Sequence, residues 1–126
     1  MSGKDDIQKS KGIPVETAEE LYQNAPCGYV SFSKDGTIFN INETFLSWLG
    51  FTKKEVVGIK KFNNLFKIGG KIFFETHFFP LIRIQGFIKE INFDIVRKDK
   101  TTFPGLINVN EISGVAEASK TYRATV

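Results

Sequence analysis

Residues 87–112 alternate apolar and polar side chains on either side of a polar tetrad, Arg97-Lys98-Asp99-Lys100. Successive side chains of an extended chain point to opposite faces, so the stretch reads as a β-hairpin with one apolar face. Phe87, Ile91, Phe93 and Ile95 share that face on the first strand, with Glu90, Asn92 and Asp94 opposite. Phe103, Ile107 and Val109 share a face on the second. Just before the hairpin, residues 70–85 are apolar on most sides and hold His77, the single histidine. They read as a buried helix over residues 71–85, packed across the sheet. Pro80 removes one of its backbone hydrogen bonds, so either a kink or a second short helix starting at Pro80 is expected there. Helix and sheet enclose a small space that is either packed solid or holds a ligand. Nothing near it looks like a reaction centre.

Thirteen phenylalanines in 126 residues make that space aromatic. A chain of this length fits one domain and buries roughly two-thirds of its unfolded surface. A net charge of +3 is too mild for a nucleic-acid partner, which calls for a dense Lys/Arg face. One region is locally basic: Lys53, Lys54, Lys60, Lys61, Lys67 and Lys71 are offset only by Glu55. It reads first as a solvated face, with an anionic partner or ligand headgroup as the alternative. Cys27 is the only cysteine, so no internal disulfide and no cysteine-built metal site is expected, which suits a reducing cytoplasm. No N-terminal signal region is seen, and no run approaches the ~20 apolar residues of a bilayer span, so no membrane insertion by this segment is expected.

Residues 1–12 are polar and lysine-rich and are expected to be disordered, which leaves residues 13–126 as a single domain. Either Pro14 at a first helical position or the capping pair Thr17 and Glu20 opens a helix over residues 15–23, and Ala25-Pro26-Cys27-Gly28 ends it. Residues 29–33 and 37–41 read as strands around the turn Lys34-Asp35-Gly36. Asn42 caps a short helix over 43–49 closed by Gly50, and Thr52 with Glu55 caps another over 53–57 stopped by Gly58. Residues 62–66 make one helical turn ahead of Gly69-Gly70. Residues 113–119 read as a loop of small residues, and a last strand starts at Thr121. Two strands, several short helices, one longer helix and three strands give an α+β fold: a five-stranded antiparallel sheet with its helices on one face.

Asn24-Ala25-Pro26 and Gly28 are followed by Asp35-Gly36-Thr37-Ile38, Asn42, Phe45, Leu49-Gly50-Phe51, Glu55, Gly58 and the turn Arg97-Lys98-Asp99. In this order and spacing they resemble a PAS domain, from about residue 16 to residue 126. Residues 69–77 followed by Pro80-Leu81 more closely resemble PAS domains found upstream of bacterial histidine kinases and PP2C-type serine phosphatases. The resemblance implies a sheet in the order 2-1-5-4-3, with a pocket between its inner face and the helices. It implies a signal-transduction module of the two-component kind, a sensor of small molecules, light or redox state, or a dimerising relay without ligand. Such domains often run on into an Asp-Ile-Thr-like linker, and the chain stops at Val126 before one. A cytoplasmic sensor domain excised from a larger signalling protein, with its effector C-terminal, is therefore expected.

The side chains expected around the inner space are Trp48, Phe62, Phe66, Phe73, Phe74, His77, Phe78, Leu81, Ile91 and Phe93. They either fill it or enclose an apolar, colourless ligand such as a fatty acid, whose carboxylate would reach His77 or a nearby lysine. The resemblance also raises haem, because haem-binding PAS domains use a histidine of the corresponding helix as axial ligand. Against this, a lone histidine on an apolar helix is more often a hydrogen-bonded core residue, and only Arg83 is at hand for the propionates. Photoactive flavin is not expected, since Gly58-Ile59-Lys60-Lys61 has lysines where the reactive cysteine and its neighbour would stand. Glu75 and His77 are two apart on a helix and face different ways, and no phosphate loop, zinc spacing or nucleophile elbow is present. No catalytic residue is assigned, and a small enzyme is the least favoured reading. Leu21 and Tyr22 are expected to make a homodimer contact through the first helix.

Overall fold

The computed structural model describes residues 12–112 and 120–126, so residues 1–11 and the loop read over 113–119 lie outside the described residues. Helix α1 (Ala18–Gln23) starts at Thr17, whose hydroxyl accepts from the Glu20 N–H while the Glu20 carboxylate accepts from the Thr17 N–H. Of the two starts open to the sequence, the capping box prevails because it satisfies two end N–H groups, whereas Pro14 satisfies none. Strands β1 (Tyr29–Ser33) and β2 (Ile38–Ile41) follow. Helix α2 (Glu43–Leu49) begins at Asn42 and ends at Gly50, whose φ of 81° is left-handed. Helix α3 (Lys53–Val56) is capped by Thr52 and Glu55, and Phe62–Leu65 forms a 3-10 turn.

The long helix, α4, continues unbroken for 18 residues. It comprises an α-helical stretch Ile68–Phe73, a wider π-helical turn Phe74–Phe78, and a second α-helical stretch Phe79–Gln85. Of the two outcomes expected at Pro80, a separate second helix does not form. Pro80 falls in the first turn of the last stretch, and the wide turn before it relieves the clash a proline ring makes with the carbonyl four residues back. Gly69 and Gly70, read as lying ahead of the helix, sit inside its first stretch. A Cβ on Gly70 would stand 2.9 Å from the Phe93 ring, so glycine here lets α4 close onto the sheet.

Strands β3 (Phe87–Val96), β4 (Thr102–Ile112) and β5 (Thr121–Thr125) complete an antiparallel sheet in the order β2-β1-β5-β4-β3. This is the α+β architecture that the resemblance implies. Val30, Phe32, Ile38, Ile107, Val109, Tyr122 and Ala124 bury one face of it, and Phe45, Leu46, Leu49, Phe74 and Ile82 close over them from the helices. Strand β3 departs from strict alternation. Glu90 has a φ of 56°, and pairing with β4 steps from Ile88↔Val109 to Ile91↔Ile107. The extra residue reverses the faces upstream of it, so Ile88 is buried and Phe87, expected to share a face with Ile91, is exposed. The Glu90 N–H is satisfied by the Asn108 Oδ1, 3.0 Å away.

The β1–β2 turn is tied by one carboxylate. Asp35 accepts from the Ser33 hydroxyl and then from the Thr37 N–H, and these bonds hold its pKa down to about 2, against an ordinary 3.8. Because the folded value lies below the ordinary one, the turn contributes stability above about pH 4 and loses it as the pH falls toward 2. Thermal melts between about pH 5 and pH 2 are expected to show a shallower acid-side decline in Asp35→Asn than in the parent. Identical declines in the two proteins would remove the turn carboxylate from the acid response.

Candidate functional site

The buried side of α4 meets the sheet through a continuous run of rings. Phe66 stacks on Phe93 with centroids 4.4 Å apart, and Phe62 stacks on Phe32 at 4.6 Å. Phe62 meets Phe66 and Phe74 edge-on at 5.1 and 5.6 Å, and Phe74 lies 6.0 Å from Phe93. Phe62, Phe66, Phe74 and Phe93 are each at most 6% exposed. Rings at these separations are in contact, so side chains themselves fill this part of the space. Half-buried Phe78 adds an edge against Phe93 at 5.7 Å, and half-buried Ile91 packs on the same core.

The other four expected residues stand elsewhere. Phe74, Phe78 and Ile82 follow at four-residue intervals along the inner side of α4, while Phe73, His77 and Leu81 form a parallel stripe one residue back. In a regular α-helix Leu81, seven residues beyond Phe74, would return nearest to the buried side. The π turn inserts a residue into that course and hands the place to Ile82, which is fully buried, leaving Leu81 39% and Phe73 47% exposed. His77 is exposed as well, its ring tilted against Phe73 at 4.3 Å and its Nδ1 2.8 Å from the Thr76 hydroxyl. The expectation that Phe73, His77 and Leu81 line the inner space is thus corrected. An axial ligand from His77 would point away from the sheet, so these residues do not fit a haem held there. Trp48, half-buried in the last turn of α2, packs on another edge of the core, edge-on to Phe45 at 6.2 Å and to Phe103 at 6.4 Å. It borders a separate groove of about 570 Å³ with Arg97, Pro104 and Leu106.

Three rings of the core run were not foreseen. Phe32 and Tyr122 are fully buried 5.6 Å apart, and Phe79 meets Tyr122 edge-on at 5.6 Å. Alternation with Val30 and with Ala124 marks the first two; Phe79 becomes legible only once the π turn is known. Near Phe79 a cleft of about 600 Å³ opens between the β1–β2 turn, the 3-10 turn and α4. Phe32, Phe62, Phe74 and Phe79 line it from the core, and Asp35, Lys61, Lys71 and Glu75 are its charged members.

Helix α1 divides the proposed dimer residues. Leu21 is 55% exposed, whereas Tyr22 is half-buried and stacks on Tyr29 at 5.6 Å. Burial raises the pKa of the Tyr22 hydroxyl, with Arg123 acting against it. Among the described residues no three His, Cys, Asp or Glu side chains cluster as metal ligands, and no helix is long and apolar enough to cross a membrane.

The family profile described as PAS domain matches residues 26–125. Phosphoserine phosphatase RsbP of Bacillus subtilis (strain 168) is 32% identical over 90 residues, which is 71% of this chain and 22% of that protein. The chain thus spans less than a quarter of that relative's length. The PAS domain of a protein from Colwellia psychrerythraea has a TM-score of 0.74 at 16% identity, over 96% of both chains. A domain of the sensory box sensor histidine kinase/response regulator from Geobacter sulfurreducens has a TM-score of 0.65 at 10% identity, over 98% of this chain and 96% of that one. At these identities the structural likeness is one of fold.

Proposed function

The chain belongs to the PAS family, the sensor domains of signalling proteins such as kinases and phosphatases, and from that premise we propose that it regulates an attached effector, a serine phosphatase or a histidine kinase. The observation that supports this best is its likeness to one segment of a much longer phosphoserine phosphatase. The module works in the cytoplasm and takes its input as a small, mostly apolar ligand such as a fatty acid, or as dimerisation through α1. A ligand drives such a switch only by binding one packing of the core better than another. A two-fold contact through α1 passes the change to both attached effectors. The mutual contact of Phe62, Phe66, Phe74 and Phe93 favours the relay form, and exposed Leu21 offers its contact.

Native mass spectrometry of freshly purified protein reads both inputs at once. The expected result is a dimer that Leu21→Lys converts to monomer, and joined ahead of a serine phosphatase domain the same substitution changes the phosphatase rate. A retained acyl-chain mass would select the ligand form. A monomer without bound small molecule, together with a phosphatase rate indifferent to Leu21→Lys, would defeat the reading.

A further inference from the structure

Resting on that sensor reading, we propose that the cleft between the β1–β2 turn, the 3-10 turn and α4 binds a small organic anion with a short apolar body, its head held by Lys71 and Lys61. A cleft of about 600 Å³ has the size of an ordinary small-molecule site.

The ligand's charge follows from which polar groups are already taken. The Asp35 Oδ1 accepts from both Ser33 and Thr37 within the turn, and the Glu75 Oε2 accepts from the Asn63 Nδ2. Lys71 is half-buried, and its ammonium makes no hydrogen bond and no ion pair among the described residues. Glu75 follows it by one turn, but a lysine N-terminal to its glutamate is the weaker order for such a pair, and Glu75 is turned to Asn63 instead. The Lys61 stem runs beside Gly36, where a Cβ would lie 3.6 Å from the lysine Cβ. The Lys61 ammonium faces Asp35 through space only. Asn64 accepts the Lys61 N–H at its Oδ1, which leaves its Nδ2 to donate. The Lys71 and Lys61 ammoniums and the Asn64 Nδ2 are open donors beside the open Asp35 Oδ2 and Glu75 Oε1, and an acceptor that carries negative charge is drawn to the cationic pair. An ammonium without a counter-charge is complemented by an anion set beside it. Lys60 and Lys67, neighbours in sequence of the cleft's residues, add to the local positive potential.

The apolar body follows from the other side of the cleft. The half-buried Phe79 ring and the exposed Ile59 side chain line the same space, and a bare inorganic ion would leave both in water. A carboxylate or phosphate monoester with a short alkyl or aryl body covers them, gaining by removal of apolar surface.

The test is a titration of isotope-labelled protein with octanoate, octyl phosphate, 1-octanol and inorganic phosphate, followed by amide shifts. Both amphiphilic anions are expected to shift residues 59–64 and 71–79 saturably. Octanol is expected to bind roughly tenfold more weakly than octanoate, and Lys71→Gln to weaken octanoate by roughly tenfold while leaving octanol unchanged. Lys89→Gln, on β3, should leave both as they were. Undiminished octanoate binding by Lys71→Gln, or shifts centred on Trp48 and Arg97, overturns this site and leaves the ligand-sensor reading standing. Inorganic phosphate binding as tightly as octyl phosphate overturns the apolar body. Failure of all four probes overturns the inference, and the dimer and phosphatase measurements then judge the sensor reading separately.

Discussion

Phe62→Ala is expected to lower the unfolding free energy by about 3–5 kcal/mol, the range for removing a fully buried aromatic ring. Phe62 is 1% exposed and stands at the crossing of three elements, stacked on Phe32 of β1 and edge-on to Phe66 and to Phe74 of α4. Its own backbone is anchored, since its N–H donates to the Gly36 carbonyl at 2.9 Å. The 3-10 turn therefore cannot readily collapse into the space a smaller side chain would leave. A domain of this size has on the order of 5–15 kcal/mol in total, so the loss is a large share of it. Phe73→Ala, in the exposed stripe of α4, is expected to cost less than about 1 kcal/mol. Urea unfolding of the two variants beside the parent measures both. Equal losses would contradict the division of α4 into a buried and an exposed stripe.

Asn42→Ala is expected to cost about 3–5 kcal/mol, though it removes only one small side chain. The Asn42 Oδ1 accepts from the Phe45 N–H at 3.1 Å, which caps α2, and from the Tyr29 N–H at 3.0 Å, which aligns β1. Its Nδ2 donates to the Tyr22 carbonyl at 2.8 Å and to the Cys27 carbonyl at 3.1 Å, which ties down α1 and the segment after it. Alanine would strand these four backbone groups around a residue that is fully buried in the parent. Asn42→Asp separates the two halves of the role, because aspartate keeps the acceptor and loses both donors. Its hydrogen exchange is expected to rise in residues 18–23 more than in residues 43–49. An Asp variant as stable and as protected as the parent would show that the Nδ2 bonds contribute nothing. In the proposed relay this side chain is the joint between the dimer helix and the sheet.

Much of the architecture is legible in the chain because its causes are local. Alternation places β1, β3, β4 and β5, and capping residues within four positions of their targets place α1, α2 and α3. The caps are complete within a few residues, and alternation is a property of each strand's own side chains, although the strands pair with distant partners. The strand order was legible for another reason, since it came through the family resemblance carried by such residues as Asp35-Gly36, Asn42 and Leu49-Gly50-Phe51.

The faces of α4 and β3 were not legible, and the reason is phase. One inserted residue rotates everything beyond it by about 100° on a helix and to the opposite face on a strand. On α4 the competing stripes, Phe73-His77-Leu81 and Phe74-Phe78-Ile82, are nearly equal in apolar character, so the pattern could not choose between them. The sheet chose, by accepting Phe74 and Ile82 against Phe93 and its neighbours through a π turn that no local signal announces. On β3 the bulge at Glu90 exchanged Phe87 for Ile88 in the same way, both being apolar. Local pattern and composition settle which segments become strands and helices and make the interior aromatic. Only tertiary packing decided which rings meet, that His77 faces water, and that the open cleft lies beside Lys61 and Lys71, because each depends on contacts between elements far apart in the chain.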